Sequence, residues 1–309
     1  MAKNKEELTI VTAFFDIGRS NMNEYARSND KYLEYFKFWA RIKNNIVVYT
    51  DKFMAEKVKE VREEYGLLDK TTIEVIEDYL SIEPKLYERM EEVSKNQTFL
   101  TFRYNDHPMD NNAKYDYVML LKAWCLKDAV EKGHAKGMMA WLDFGFNHGG
   151  ALYTTPEEFD FLWEIKDIPN DKITMFSAKE DDNKPIFQVV QSYDVYVMGF
   201  NIIMPSELAS SFWEDIKEAM NSLINVGFID DDQTLLLMIS RMYKDRYNLL
   251  LSDWFMPIKE HGGEHLTIKE KEDRKESFKD KVLKEFRIRK RNNRCKKRLQ
   301  SIFYKDHLD

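Results

Sequence analysis

A chain of 309 residues, 43% hydrophobic and 33% charged, carries enough apolar material for one large α/β domain or two small ones, and too much to remain disordered. Its net charge of −7 hides an asymmetry: residues 281–298 hold ten Lys or Arg against the single acid Glu285, so that segment is +9 and the rest is −16. So acidic a body argues against nucleic acid as a partner. The two cysteines, Cys125 and Cys295, match no zinc or redox spacing, which predicts a reducing compartment. The first residues lack the apolar core of a signal peptide, and the longest apolar run, Val195 to Pro205, is too short to span a bilayer. The expectation is a cytoplasmic protein.

In chain order, Leu8 to Phe15 is apolar and β-branched and is broken by Asp16-Ile17-Gly18-Arg19, which predicts a first strand. Aromatics at Tyr32, Tyr35, Phe36 and Trp39 fall near helical spacing and predict a helix over 29–43. A short apolar strand over 45–51 follows, ending in Thr50-Asp51. Next come a helix over 52–65 and a strand over 71–76. This β-α-β-α-β opening implies a mostly parallel central sheet flanked by helices, the α/β class. Helices are predicted over 84–94 and 112–132, then an apolar strand from Met138 to Phe144. Thr154 and Glu157 have the spacing of a capping box at the start of a short helix. Strands are expected at 172–176 and 196–204, the latter bulged or closely approached at Gly199-Phe200-Asn201. Helices are expected from Pro205 to Asn225 and from Asp230 to Tyr243, with a strand-like stretch at Leu249–Leu251. Residues 1–266 form one domain on this reading, and 267–309 a charged, basic helical tail.

The residues able to carry chemistry cluster at predicted strand ends. Asp143 terminates an apolar strand and is followed by a Gly/Asn/His-rich loop, where open α/β sheets place ligand-binding groups. It is either a carboxylate for Mg²⁺ or Mn²⁺ bound with substrate phosphates or a strand-ending turn residue. His148 is either a further ligand or a solvent-touching loop histidine, and His261, in a Gly turn, is a distant second candidate for the metal. Asp230-Asp231-Asp232-Gln233 is either a helix N-cap with dipole-complementing charge or a cleft-facing group that addresses a hydroxyl. Phe15 and Arg19 at the first strand's exit, with Thr50 and Asp51 at the second's, would share one sheet edge and could hold a uridine and its phosphates. Lys122, within a mostly apolar helix, either snorkels or points toward a diphosphate. No phosphate-loop, GxGxxG, GxSxG or HExxH motif occurs, which removes kinase, dehydrogenase and serine-hydrolase readings.

The segments TIVTAFFDIGR, VVYTD, YVMLLKAWCLKDAV, WLDFGFNHGG, GFNIIMP and DDDQTLLL together resemble the HtrL/YibB-like family of bacterial surface-polysaccharide gene clusters, over roughly residues 7–265. Members of that family are presumed glycosyltransferases of the GT-A type. The resemblance therefore implies a GT-A-like domain moving a hexosyl unit from a UDP-sugar donor to a glycan or lipid-linked glycan acceptor, in capsule or lipopolysaccharide synthesis. Under it, Asp143 stands where GT-A enzymes carry an Asp-x-Asp metal motif, here Asp143-Phe144-Gly145 with one carboxylate. Asp231, Asp232 and Gln233 resemble the acceptor-side motif, and Gly199 and Asn201 the segment lining the donor sugar. The alternatives are a noncatalytic carbohydrate-binding or scaffold protein on a degenerate transferase fold, and a nucleotide-sugar hydrolase. In the tail, basic residues of 281–298 interleave with Val282, Leu283, Phe286 and Ile288, as in a helix lying on an anionic membrane at the inner face of the plasma membrane.

Overall fold

The computed structural model describes residues 7–21, 26–103 and 112–269. The tail segment 281–298, with Cys295 and the proposed membrane contact, lies outside them. A seven-stranded sheet is built from β1 (Thr9–Phe14), β2 (Asn45–Thr50), β3 (Thr71–Val75), β4 (Met138–Leu142), β5 (Ile173–Ser177), β6 (Val197–Pro205) and β7 (Tyr247–Leu251). Their order across the sheet is β3-β2-β1-β4-β6-β5-β7. Among the described strands only β6 runs antiparallel to its neighbours. The helices are α1 (Asn29–Trp39), α2 (Lys52–Glu64), α3 (Pro84–Ser94), α4 (Gln97–Phe102), α5 (Ala113–Glu131), α6 (Ile186–Ser192), α7 (Ala209–Asn225), α8 (Asp232–Met242) and α9 (Pro257–Glu260). This is the α/β class with a mostly parallel, helix-flanked central sheet that the opening pattern predicts.

The inner strands β1, β2, β4, β5 and β6 are rich in apolar residues because both faces of the sheet are covered there. Val11, Val47, Met139 and Trp141 pack toward α3, α5, α7 and α8. The intervening Ile10, Ile46, Val48 and Ala140 face α1, α2 and the long connection after β4. Helix α5 is apolar nearly all round for the same reason: it lies between β1 and the helices α3 and α7. Among the described residues no helix is long and apolar enough to cross a membrane.

Three local differences from the expected elements have identifiable causes. Helix α1 ends at Trp39 rather than at 43, because the fully buried Arg62 donates to the carbonyls of Ala40 (2.8 Å), Ile42 (2.7 Å) and Asn44 (3.3 Å) and draws the chain out of the helix. The Thr154–Glu157 capping box does not form. Pro156 keeps Thr155 extended, and only a 3₁₀ turn (Pro156–Phe159) follows, with no side-chain cap. The irregularity expected at Gly199-Phe200-Asn201 is present: β5 pairs Met175 with Ile202 but Phe176 with Met198, so the three residues between bulge out of that pairing.

Candidate functional site

Strands β1 and β4 are parallel neighbours, with Val11 opposite Trp141, so their carboxyl ends leave the sheet side by side. A cavity of ≈ 330 Å³ opens between these exits. Phe15 and Arg19 line it from the β1 side, Asp143 from β4, Lys122 from α5 and Gln233 from α8. Carboxyl-edge crevices of this kind are where open α/β sheets hold their ligands.

Lys122 is the centre of the site. It is only 6% exposed, and its Nζ donates to Asp232 Oδ2 (2.7 Å) and the Gly199 carbonyl (3.0 Å), with Asp143 Oδ1 also 3.0 Å away. An ammonium has three hydrogens, and three acceptors use them all. Burial works against the charge, but Asp143 and Asp232 outweigh it and hold the pKa above the ordinary lysine range. Lys122 therefore points inward rather than snorkelling. Because its hydrogens are taken, its role is to tie two carboxylates together rather than to grip a phosphate.

Asp143 Oδ1 also accepts from Trp141 Nε1 (2.8 Å), and its backbone N–H donates to the Phe200 carbonyl (2.9 Å). The rest of the carboxylate faces the cavity, and the side chain is 35% exposed. Gly199 leaves the space that Asp232 occupies: a Cβ there would lie 1.8 Å from Asp232 Oδ2.

The three consecutive aspartates do three different jobs. Asp230 accepts from Arg103 Nη2 (2.6 Å), Thr234 Oγ1 (2.7 Å) and the Asp231 N–H (3.0 Å). Asp231 caps α8 by accepting from the Gln233 N–H (3.1 Å) and also receives the Tyr193 hydroxyl (3.2 Å). Burial, with Asp230 and Asp232 beside it, pushes the Asp231 carboxyl well above the usual range. Asp232 is raised by burial too, with Lys122 opposing the rise. Of the expected Asp231-Asp232-Gln233 group, only Gln233 lines the cavity.

In the same cavity, Arg19 Nη1 donates to the Tyr32 hydroxyl (2.7 Å), and Arg27 lines the same space. The loop after β4 turns through two left-handed residues, Asn147 (φ 59°) and His148 (φ 45°). Such backbone is strained for non-glycine residues. It is held by the Asn147 amide, which accepts from the Leu152 and Tyr153 N–H groups (2.8 and 3.0 Å) and donates to the Tyr153 carbonyl (2.9 Å). The His148 ring is set beside Tyr35 and Phe255. Its packing there and the charge of Arg27 hold its pKa below the usual value.

Four expected site residues are used elsewhere. Thr50 is fully buried and its hydroxyl bonds the Phe14 carbonyl (2.9 Å), fastening β2 to β1. Asp51 caps α2 by accepting from the Met54 N–H (2.8 Å). Asn201 is also fully buried and donates to the Trp141 carbonyl (2.8 Å), locking β6 to β4. His261 is not brought to Asp143: its Nδ1 lies 3.1 Å from the Lys166 carbonyl and its ring packs on Phe176. Asp51→Ala should accordingly lose about 1 kcal/mol of stability in urea unfolding, as helix caps do, with nucleotide binding unchanged. A binding loss larger than the stability loss would return Asp51 to the site.

For the expected Asp143-centred Mn²⁺ or Mg²⁺, the residues present offer one cavity-facing carboxylate, and His261 is not beside it. Among the described residues no three His, Cys, Asp or Glu side chains converge on one point. The carboxylate nearest Asp143 in the network, Asp232, shares an ammonium with it instead.

Several cavity residues escape sequence reading. Trp254, 43% exposed just beyond β7, stands at the rim against Phe200 and Phe255. Its only signal is an aromatic in a polar loop after a strand. Arg27 and Tyr115 carry no local motif at all. The site thus combines one cavity-facing carboxylate on a rigid mount, two guanidinium groups lining the same cavity and an exposed indole at its edge. Together they can bind an anionic ligand and place a carboxylate beside a hydroxyl.

The class so defined is an α/β protein with an arginine-lined, carboxylate-bearing cleft at the carboxyl edge of its sheet. The family described as "Bacterial protein of unknown function (HtrL_YibB)" matches residues 6–259, and the chain belongs to it. It is 26% identical over 261 residues to Protein HtrL of Escherichia coli (strain K12), a match covering 79% of this chain and 88% of that protein. Among solved structures, it is similar to the apo form of mouse xyloside xylosyltransferase 1, with a TM-score of 0.43 and 14% identity over 79% of this chain and 85% of the other.

Proposed function

We propose that this protein is a GT-A type glycosyltransferase that moves a hexosyl unit from a UDP-sugar to a glycan hydroxyl in bacterial surface-polysaccharide synthesis. The observation that carries the reading is Asp143, mounted on Trp141 and Lys122 and lining one carboxyl-edge cavity with Arg19 and Arg27. In the reaction, the acceptor oxygen bonds to the anomeric carbon as the bond from that carbon to the diphosphate oxygen breaks, releasing UDP. Asp143 takes the hydroxyl proton as general base. Arg19 and Arg27 meet the negative charge that grows on the leaving diphosphate. Gln233 hydrogen-bonds a sugar hydroxyl, and Trp254 offers its apolar face to a pyranose ring.

The test is UDP release from a panel of UDP-sugars, with and without a glycan acceptor, by the wild type and Asp143→Asn. The expected result is turnover with at least one donor, stimulated by acceptor and lowered roughly 10²–10⁴-fold by the substitution, the range for a lost general base. Release that ignores the acceptor would identify a hydrolase. No turnover and no nucleotide binding with any donor would sink the reading in favour of a noncatalytic sugar-binding protein.

A further inference from the structure

We propose that the ammonium of Lys122 is this site's built-in cation, so that donor binding requires no divalent metal. The inference rests on the transferase reading and specifies how that site manages charge.

The geometry is that of a hydrogen-bonded ammonium. Asp143 Oδ1 and Asp232 Oδ2 lie 3.0 and 2.7 Å from Nζ, whereas Mg²⁺ requires oxygens at about 2.0–2.1 Å in a near-octahedral shell. The third acceptor, the Gly199 carbonyl at 3.0 Å, completes the three bonds an ammonium can donate. The surroundings are shaped for this arrangement. Only glycine at 199 lets the Asp232 carboxylate reach Nζ, and Lys122 is sealed between α5 and the sheet. A metal at that point would have to expel a buried, fully bonded lysine. A metal on the cavity side of Asp143 would find one protein carboxylate, and no group of three His, Cys, Asp or Glu side chains among the described residues could hold it without the phosphates.

Charge matching points the same way. Lys122 offsets one of the two carboxylates it joins, leaving the cluster near −1. Arg19 and Arg27, which line the same cavity, then provide two permanent positive charges for a diphosphate. Guanidinium groups bind phosphate oxygens bidentately and stay charged at every working pH. The electrophilic work usually assigned to a divalent ion is thereby divided: Lys122 offsets part of the carboxylate charge, and the arginines meet the phosphates.

The experiment is calorimetric titration of the EDTA-treated full chain with UDP, in EDTA and in Mn²⁺, together with Mn²⁺ uptake followed by electron paramagnetic resonance. UDP affinities within threefold of one another in the two buffers are expected. A larger gain with Mn²⁺ would overturn the inference while leaving the transferase reading intact. UDP binding in neither buffer would remove the transferase reading, and this inference with it. A second arm uses Lys122→Ala, which leaves Asp143 and Asp232 facing a vacated cation position. Folded Lys122→Ala should take up one Mn²⁺ at least tenfold more tightly than the wild type, and no gain would refute the assignment of that position. If the variant does not fold, the wild-type titration decides alone.

Discussion

Gly199→Ala should unseat Asp232 and destabilise the protein by about 3 kcal/mol or more, combining overpacking with disruption of a buried ion pair. The new Cβ would sit 1.8 Å from Asp232 Oδ2 and 2.6 Å from its Cγ, so one of the two groups must move. Neither moves easily. Strand β6 lies between β4 and β5 in the middle of the sheet. Asp232 is in the first turn of α8, whose start is fastened by Asp230 and Asp231. If Asp232 yields, Lys122 loses its shortest partner and keeps a buried charge with fewer bonds. A melting experiment should show a fall of roughly 6 °C, taking about 2 °C per kcal/mol for a chain of this size. Because the conflict is with one carboxylate, Asp232→Ala should relieve it. The double variant Gly199→Ala/Asp232→Ala should be destabilised by clearly less than the sum of the single changes. Additive losses, or a Gly199→Ala melting point within 1 °C of wild type, would show that the close approach does not exist.

The fold was legible where local pattern and tertiary role agree. Strands β1 and β2 stand out because a sheet covered on both faces calls for strands rich in apolar residues. Helix α3 begins and ends where Pro84 and the loss of periodicity placed it. The direction of β6 was not legible, since an apolar run such as GFNIIM is the same in a parallel or an antiparallel ladder. Helix α1 was overextended because its end is set by Arg62, over twenty residues later, whose guanidinium has no local signature.

For the site, position at a strand tip was the useful signal. That signal gathers Phe15, Arg19 and Asp143, which with Lys122 and Gln233 from the adjoining helices line one cavity. It failed at Asp51, because an acid between a strand and a helix is equally an N-cap, and here the helix takes it. It failed also at His261, because one histidine in a glycine turn says nothing about which carboxylate it meets. The Lys122–Asp232 pair joins residues 110 positions apart in the chain, and pairing at that range is decided only by the packing of α5 and α8 around β6.

The second large effect is expected at Arg103, which no motif announces and which is 1% exposed. Its Nη2 donates to the Ile229 carbonyl (2.8 Å) and to Asp230 Oδ1 (2.6 Å), and its guanidinium lies over the rings of Phe99 and Tyr193. Asp230 in turn holds Thr234 and the Asp231 N–H, so Arg103 fixes the start of α8 and through it Asp232. Arg103→Met leaves the Asp230 carboxylate buried without its cation, a change that ordinarily costs about 3–5 kcal/mol. The loss should depend on pH in a defined direction. Asp231 has a folded pKa well above its unfolded value, raised by burial and by Asp230 and Asp232, with Arg103 acting against the rise. The native state therefore keeps a proton that the unfolded chain releases near pH 4, and stability falls as pH climbs from there toward the folded pKa. Without Arg103 the ionised form of Asp231 is disfavoured further, so the penalty of Arg103→Met should grow once pH rises through the wild-type folded pKa and should not shrink at any higher pH. Urea unfolding of both proteins across a series of pH values measures it. A penalty below 1 kcal/mol, or one that shrinks as pH rises, would mean that Arg103 packs against this corner without holding its charge.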